Sequence, residues 1–196
     1  MAKIVVFEGP DKVGKETQSK LLNQTLLNSG YRTIRVEVPS KMCPRTHKLI
    51  YKMLHNGAAK RWPNVFQFVQ FLNKWLFQLT VLPSLLRAND VVIFDRWSLS
   101  AVIYGGATGV NAALNMWLYN RLMKADVTVV FSGKSYRRNT ADDSYEKDNE
   151  LQARVKQAYS EWAVAHPDDH LLVDNARAIG EIHHDIVIDL CMRGVP

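Results

Sequence analysis

Cysteine is scarce in this 196-residue chain: Cys43 and Cys191 stand far apart and outside any Cys-x-x-Cys pattern. They frame neither a disulfide scaffold nor a thiolate metal site, and such usage suits a reducing cytoplasm. No charged segment followed by an apolar core opens the sequence, so a secretory signal is not expected. Basic residues never run beyond two in a row, as at Arg137-Arg138. The formal charge of +6 therefore suits anionic small ligands, and no polybasic arm for nucleic acid is expected. The most apolar stretch, residues 65–86, is broken by Gln67, Gln70, Asn73, Lys74, Gln78 and Pro83, which fits a buried helix and argues against a membrane span. Internal repeats, low-complexity tracts and Pro/Gly/Ser-rich linkers are missing too. One domain over residues 1–196 is expected, and 47% hydrophobic with 22% charged residues gives it a core.

What is present alternates. Five β-branched, apolar runs recur at Lys3–Glu8, Thr33–Val38, Val91–Asp95, Val127–Phe131 and His170–Asp174. Between and after them lie helical periodicities at Gly14–Asn28, Arg45–His55, Val65–Arg87, a broken region from Ser98 to Met123, Asn149–His166 and Ala178–Met192. Strands alternating with helices predict an α/β fold: a five-stranded parallel sheet with helices on both faces, a three-layer sandwich. In such sheets ligands bind beyond the carboxyl ends of the strands, so the strand exits matter most.

The first exit carries the strongest signal. Behind Ile4-Val5-Val6 comes Phe7-Glu8-Gly9-Pro10-Asp11-Lys12-Val13-Gly14-Lys15-Glu16-Thr17, in which Gly9 and Gly14 bracket four residues and a lysine follows. That is the spacing of a phosphate-binding P-loop. Backbone N–H groups close around an oxyanion, and the helix N-terminus adds unpaired donors. Lys15 reaches the β- and γ-phosphates of a nucleotide as a point charge. Glu16 stands where a Ser or Thr ordinarily helps hold Mg²⁺.

At the third exit, Asp95-Arg96-Trp97 places an acid and a base together. Asp95 can hold Mg²⁺ or its waters, and Arg96 can grip a phosphate bidentately. A surface pair capping the next helix would look the same in isolation. The P-loop on the same sheet edge favours the phosphate and metal reading. The fourth exit leads to Lys134-Ser135-Tyr136-Arg137-Arg138, which reads as a lid over phosphates or as an ordinary solvated loop. On the helix from Val65, residues Gln67, Gln70, Lys74 and Gln78 recur at i, i+3, i+7 and i+11 and form one polar stripe. Periodicity leaves two readings open: the stripe faces solvent, or it lines a cleft.

Together these residues resemble the thymidylate kinase family of P-loop nucleoside-monophosphate kinases. The resemblance spans the chain: Phe7-Glu8-Gly9-x-Asp11-x-x-Gly14-Lys15-x-Thr17-Gln18, Asp95-Arg96-Trp97 with Ser100, Tyr104-Gly105-Gly106, Ser144-Tyr145-Glu146 and Val173-Asp174-Asn175-Ala176. It implies phosphorylation of dTMP by ATP with Mg²⁺, in a cytoplasmic homodimer. It further implies that Asp11 accepts a hydrogen bond from the sugar 3′-hydroxyl and that Arg96 grips the acceptor phosphate. Lys12 takes the place of a catalytic Arg. The lid, about 134–147, supplies Arg137 or Arg138. Asp95 holds the metal water, with Ser100 and Tyr104 nearby on the acceptor side. Tyr145 packs by the deoxyribose, with Gln152 beside it, and Asn175-Ala176 belongs to the loop beside adenine. The ATP site would thus comprise Gly9, Asp11, Lys12, Val13, Gly14, Lys15, Glu16, Thr17, Asn175 and Ala176.

Three positions depart from the family's pattern. Glu16 replaces the hydroxyl residue, and Trp97 replaces the more usual Tyr or His. Lys74, in Asn73-Lys74-Trp75, stands where an Arg reads the thymine carbonyl. Counting back three residues from Asn73, the stacking aromatic falls on Gln70, so Phe71 or Phe68 would serve only with a shifted register. Two rival functions fit the motifs as well: a kinase for another pyrimidine deoxynucleotide or a DNA hydroxyl, and a P-loop ATPase or nucleotide sensor. Asp11 discriminates against the last, because a sugar-reading carboxylate has no role in a simple ATPase.

Overall fold

The computed structural model describes residues 2–133, 135, 136, 145, 148–168 and 170–196. Strands β1 (Lys3–Glu8), β2 (Thr33–Glu37), β3 (Val91–Asp95), β4 (Val127–Ser132) and β5 (Leu171–Asp174) form one parallel sheet in the order β2-β3-β1-β4-β5. Register pairs Phe7 with Asp95 and Glu37 with Asp95, so β1, β2 and β3 end level with one another. Every residue of β3 is buried, as a central parallel strand covered on both faces requires.

Helices α1 (Lys15–Asn28) and α9 (Ile179–Met192) cover one face, where Leu22, Leu26, Ile182, Ile186 and Leu190 meet Val5, Phe7 and Ile93. The other face packs Phe71, Phe77, Leu82, Leu118 and Trp97 on Ile4, Val6, Val92 and Phe94. A third apolar cluster joins α2 (Pro44–His55), α3 (Ala58–Arg61), α4 (Pro63–Thr80), α6 (Ser98–Ala107) and α8 (Asn149–Ala165) through Ile50, Ala59, Phe66, Ile103 and Val155.

The helix expected over Val65–Arg87 is two helices, α4 and α5 (Leu82–Ala88). Pro83 in the first turn of α5 explains the break. It donates no N–H and its ring excludes the carbonyl four residues back, so the chain turns at Val81. The broken region resolves into α6 and α7 (Ala112–Tyr119), the latter capped by Asn111, whose side chain accepts the N–H of Leu114 at 2.9 Å. Asp148 caps α8 in the same way through Leu151. Helix α3 was not expected, and β2 stops one residue early at Glu37, before Val38 and Pro39.

Candidate active site

Strand β1 runs from buried Phe7 and Glu8 into the loop and α1. A Cβ on Gly9 (φ +141°) would come within 2.8 Å of the Phe131 carbonyl oxygen of β4, so only glycine lets the loop pass. Gly14 (φ +99°) is the N-cap of α1 without a side-chain cap, and a Cβ there would meet nothing within 4 Å. The turn is thus open on the side where a phosphate would meet the helix N-terminus. Two non-glycine residues also take left-handed backbone, Lys12 (φ +61°) and Arg96 (φ +70°). Both lie on this sheet edge, the kind of backbone strain that gathers at functional sites.

A cavity of about 690 Å³ opens beyond the strand ends. Asp11, Lys12, Gly14, Lys15, Glu16 and Thr17 line it from the loop and α1, and Asp95, Arg96, Ser100 and Tyr104 from β3 and α6. Phe66, Gln67, Gln70 and Lys74 line it from α4, and Tyr136 and Tyr145 close it from the far side.

At its centre Arg96 donates to the Gly9 carbonyl at 3.1 Å, to Ser100 Oγ at 3.2 Å and to Asp11. Its guanidinium lies 5.3 Å over the Tyr104 ring. Asp11 also accepts from Tyr104 at 2.6 Å and from Gln152 at 2.9 Å. Burial works to raise the Asp11 pKa, but Arg96, Lys15 and those two hydrogen bonds hold it down at about 2. The carboxylate is ionised and aimed. Lys15, buried, donates to the Pro10 carbonyl; burial, with Arg96 nearby, pushes its ammonium down to about 7.

Asp95 pairs with Arg35 of β2, which also donates to Ser19 at 2.7 Å. Glu16 reaches Lys20 at 2.5 Å on the outer face of α1, although it also borders the cavity. After β4, Ser135 donates to the Asp11 carbonyl at 2.9 Å and Tyr136 N–H to the Lys12 carbonyl at 2.8 Å. Lys134, Arg137 and Arg138 lie outside the described residues.

The polar stripe divides. Gln67, Gln70 and Lys74 line the cavity, whereas Gln78 lies past it and clamps the chain at Arg121 and Met123. Lys74 Nζ donates to Gln70 at 3.3 Å and lies 5.6 Å over the Tyr119 ring, and burial pushes its pKa down to about 8. The expectation for Phe71 needs correction: it is packed in the core against Trp75 and Tyr119, away from the cavity. Phe68 is 52% exposed on the outer side. The aromatic that α4 brings to the wall is Phe66, edge-on to Tyr145 at 5.5 Å.

Val13 is a core residue, and its carbonyl accepts from buried Asn175 at 3.1 Å. Asn175 therefore braces the loop, and neither it nor Ala176 lines this cavity. Glu8 and Arg35 were given no role from sequence. A carboxylate inside the buried β1 and a guanidinium in the apolar run of β2 require partners, and that is the signal that could have singled them out.

The family model described as thymidylate kinase matches residues 7–186. The thymidylate kinase of Plasmodium falciparum is 30% identical over 191 residues, covering 94% of this chain and 88% of that one. That of Dictyostelium discoideum is also 30% identical, covering 93% and 82%. The solved thymidylate kinase of Candida albicans superimposes with a TM-score of 0.81 at 23% identity, over 98% of this chain and 92% of that one. With the same five-stranded parallel frame and a family match over nearly its whole length, this chain belongs to the thymidylate kinase family.

Proposed function

We propose that the protein transfers the γ-phosphoryl group of ATP to the phosphate of dTMP, giving dTDP. The observation that carries this reading is the placement of Asp11. An ionised carboxylate inside a phosphate loop suits a hydroxyl that donates to it from a nucleotide's sugar, and it shares one cavity with the loop lysine. The transfer needs positioning and charge neutralisation more than covalent help. Lys15 and Lys12 serve the donor phosphates, Arg96 the acceptor phosphate, and Asp11 the sugar 3′-hydroxyl, with Tyr104 and Tyr145 walling the sugar. Ser100 steadies Arg96, and Gln152 steadies Asp11. Arg137 or Arg138 adds a further cation from the 134–147 lid, in which Ser135 and Tyr136 dock on the P-loop backbone.

Mg²⁺ fits the donor set: a hard cation that keeps its waters needs one or two carboxylates beside phosphates, and Asp95 is on the cavity wall. Asp95 would hold it, and bound there it would neutralise charge on the phosphates. Arg35 occupies one oxygen of Asp95 and sets the orientation of the other.

A single domain working as a cytoplasmic homodimer completes the reading. Val65, Phe68, Leu72, Leu76 and Leu79 form one apolar ridge along α4, opposite its cavity side, with Val65, Phe68 and Leu79 each more than half exposed. Such a ridge suits a second copy. No helix among the described residues is long and apolar enough to cross a membrane.

The test is ADP release with and without dTMP, followed by a panel of nucleoside monophosphates. Release that requires dTMP supports the kinase, and release indifferent to any acceptor would mark an ATPase. Lys74 and Gln70 favour one extension, to other pyrimidine deoxynucleotides.

A further inference from the structure

Residues 38–89 contain no Asp or Glu, while Lys41, Arg45, Lys48, Lys52, Lys60, Arg61, Lys74 and Arg87 all fall there. These cations are scattered in sequence, but the fold lines four basic residues up. On α2, Arg45, Lys48, Lys52 and His55 recur at i, i+3, i+7 and i+10, on the side opposite buried Thr46, Ile50 and Met53. Lysines and arginines at these spacings repel one another, and among the described residues no carboxylate lies within 4.0 Å of Arg45, Lys48 or Lys52. Elsewhere the chain pairs such cations along its helices, Lys20 with Glu16 and Arg193 with Asp189.

Exposed rings interleave with these cations: Tyr51, 58% exposed, stacks on His55 with centroids 3.8 Å apart. The cavity is reached by α2 only through Leu54, so this ridge is separate from the phosphate site.

We propose that the outer ridge of α2 binds single-stranded nucleic acid, its cations on the backbone and its exposed rings against bases. A second copy of the chain is a poor occupant, because like charges would meet. Cations interleaved with stackable rings match a single strand, whose bases are free to stack. The proposal stands independently of the kinase reading.

Fluorescence anisotropy with a labelled oligodeoxyadenylate of about 16 nucleotides, without a terminal phosphate and with saturating dTMP and ATP, keeps the catalytic cavity out of the measurement. The single strand should bind more tightly than its duplex. Three phosphate contacts give a slope of log K against log salt near about −2. Arg45→Glu/Lys48→Glu/Lys52→Glu should abolish binding and leave nucleotide turnover unchanged, and the triple Gln variant serves if the Glu variant does not fold. Tyr51→Ala should weaken binding about tenfold without changing the salt slope. Undiminished binding by a folded triple variant, no binding by the wild type at about 50 mM salt, or duplex preference would each overturn the proposal. Displacement by polyglutamate at equal charge would also overturn it and assign the ridge to an acidic polypeptide.

Discussion

Glu8, wholly buried at the end of β1, accepts the backbone N–H of Trp97 at 2.8 Å, and neither residue lines the cavity. The same carboxylate takes the hydroxyls of Ser100 and of Tyr159, the latter at 3.1 Å. Three donors from β3's exit, α6 and α8 thus converge on one group, and the first of them, Trp97, directly follows Arg96, whose backbone is left-handed. Arg96 in turn touches Ser100. Glu8 is a positioning residue in this geometry: it holds the turn that presents Arg96.

Glu8→Ala should strand buried donors at about 1–3 kcal/mol each. For a chain of this size Tm falls about 2–4 °C per kcal/mol, so with three donors stranded a drop of about 6 °C or more is expected by calorimetry. Glu8→Gln keeps an acceptor for Trp97 but presents an amide where hydroxyls donate. Its kcat, taken per folded enzyme, should fall on the order of tenfold or more and its KM for dTMP should rise with that for ATP little changed, whereas a general loss of folded protein would lower apparent kcat and leave both KM values alone. Unchanged kcat in a folded Glu8→Gln variant would remove the positioning role.

The two acidic candidates for metal separate by their partners. Glu16 is exposed and paired with Lys20 at 2.5 Å, while Asp95 lies on the cavity wall with Arg35 holding one oxygen. A carboxylate close to β-phosphate oxygens would also be repelled. Glu16→Ser should therefore shift the Mg²⁺ concentration for half-maximal activity little, and Asp95→Asn should raise it strongly. The opposite ranking in a magnesium titration would make Glu16 the principal contact.

Lys15 yields a prediction about protons. Burial, with Arg96 nearby, holds its pKa at about 7 in the free protein, and triphosphate oxygens beside it would raise that value. A group whose pKa rises on binding strengthens binding most below its free pKa, and this gain fades as pH climbs through the bound value. Calorimetry of ATP binding in buffers of different ionisation heat should show proton uptake at about pH 8 and much less at about pH 6. Lys15→Ala should lose the uptake and on the order of 3 kcal/mol or more of transition-state stabilisation while staying folded. Normal turnover by that variant would refute the phosphate-loop assignment.

Much of this arrangement was legible beforehand because local rules and tertiary context agree. The strand, Gly9, Gly14 and Lys15 are spaced by backbone requirements that any phosphate cradle shares, and the sheet edge collects whatever leaves β1 and β3. Where residues act through partners distant in sequence, spacing was silent. Arg35 meets Asp95 only because β2 pairs with β3 in register, and Glu8 acquires its role from α6 and α8. The i, i+3, i+7 stripe on α4 identified a face and not its surroundings, so Gln78 clamps a loop while Lys74 enters the cavity. Phe71 fails for the same reason: it lies on the side of α4 that meets α7 through Tyr119, and Phe66 takes the wall.

The proposed base selection depends on that wall. Lys74 presents a mobile ammonium where an Arg would offer a planar fork, and Gln70, its hydrogen-bond partner at 3.3 Å, offers an amide in place of a stacking ring. Phe66 alone among the α4 aromatics supplies ring surface to the cavity. Strong rejection of a wrong base comes from buried polar groups it leaves unpaired, and a flexible amine paired with an amide can re-pair. Measurable turnover of at least one further pyrimidine deoxynucleotide, such as dUMP, is therefore expected, with dTMP the best substrate. Lys74→Arg should sharpen the preference for dTMP. The pH dependence carries a sign: burial holds the Lys74 pKa at about 8, so the ammonium is present below that pH and is lost above it. The KM for dTMP should rise above about pH 8 in the wild type and stay flatter in Lys74→Arg, whose guanidinium keeps its charge. Comparing the two proteins cancels the titration of Lys15, which both retain. A wild type that phosphorylates dTMP and ignores every other pyrimidine monophosphate would show that Phe66 and the tyrosine walls select the base without Lys74.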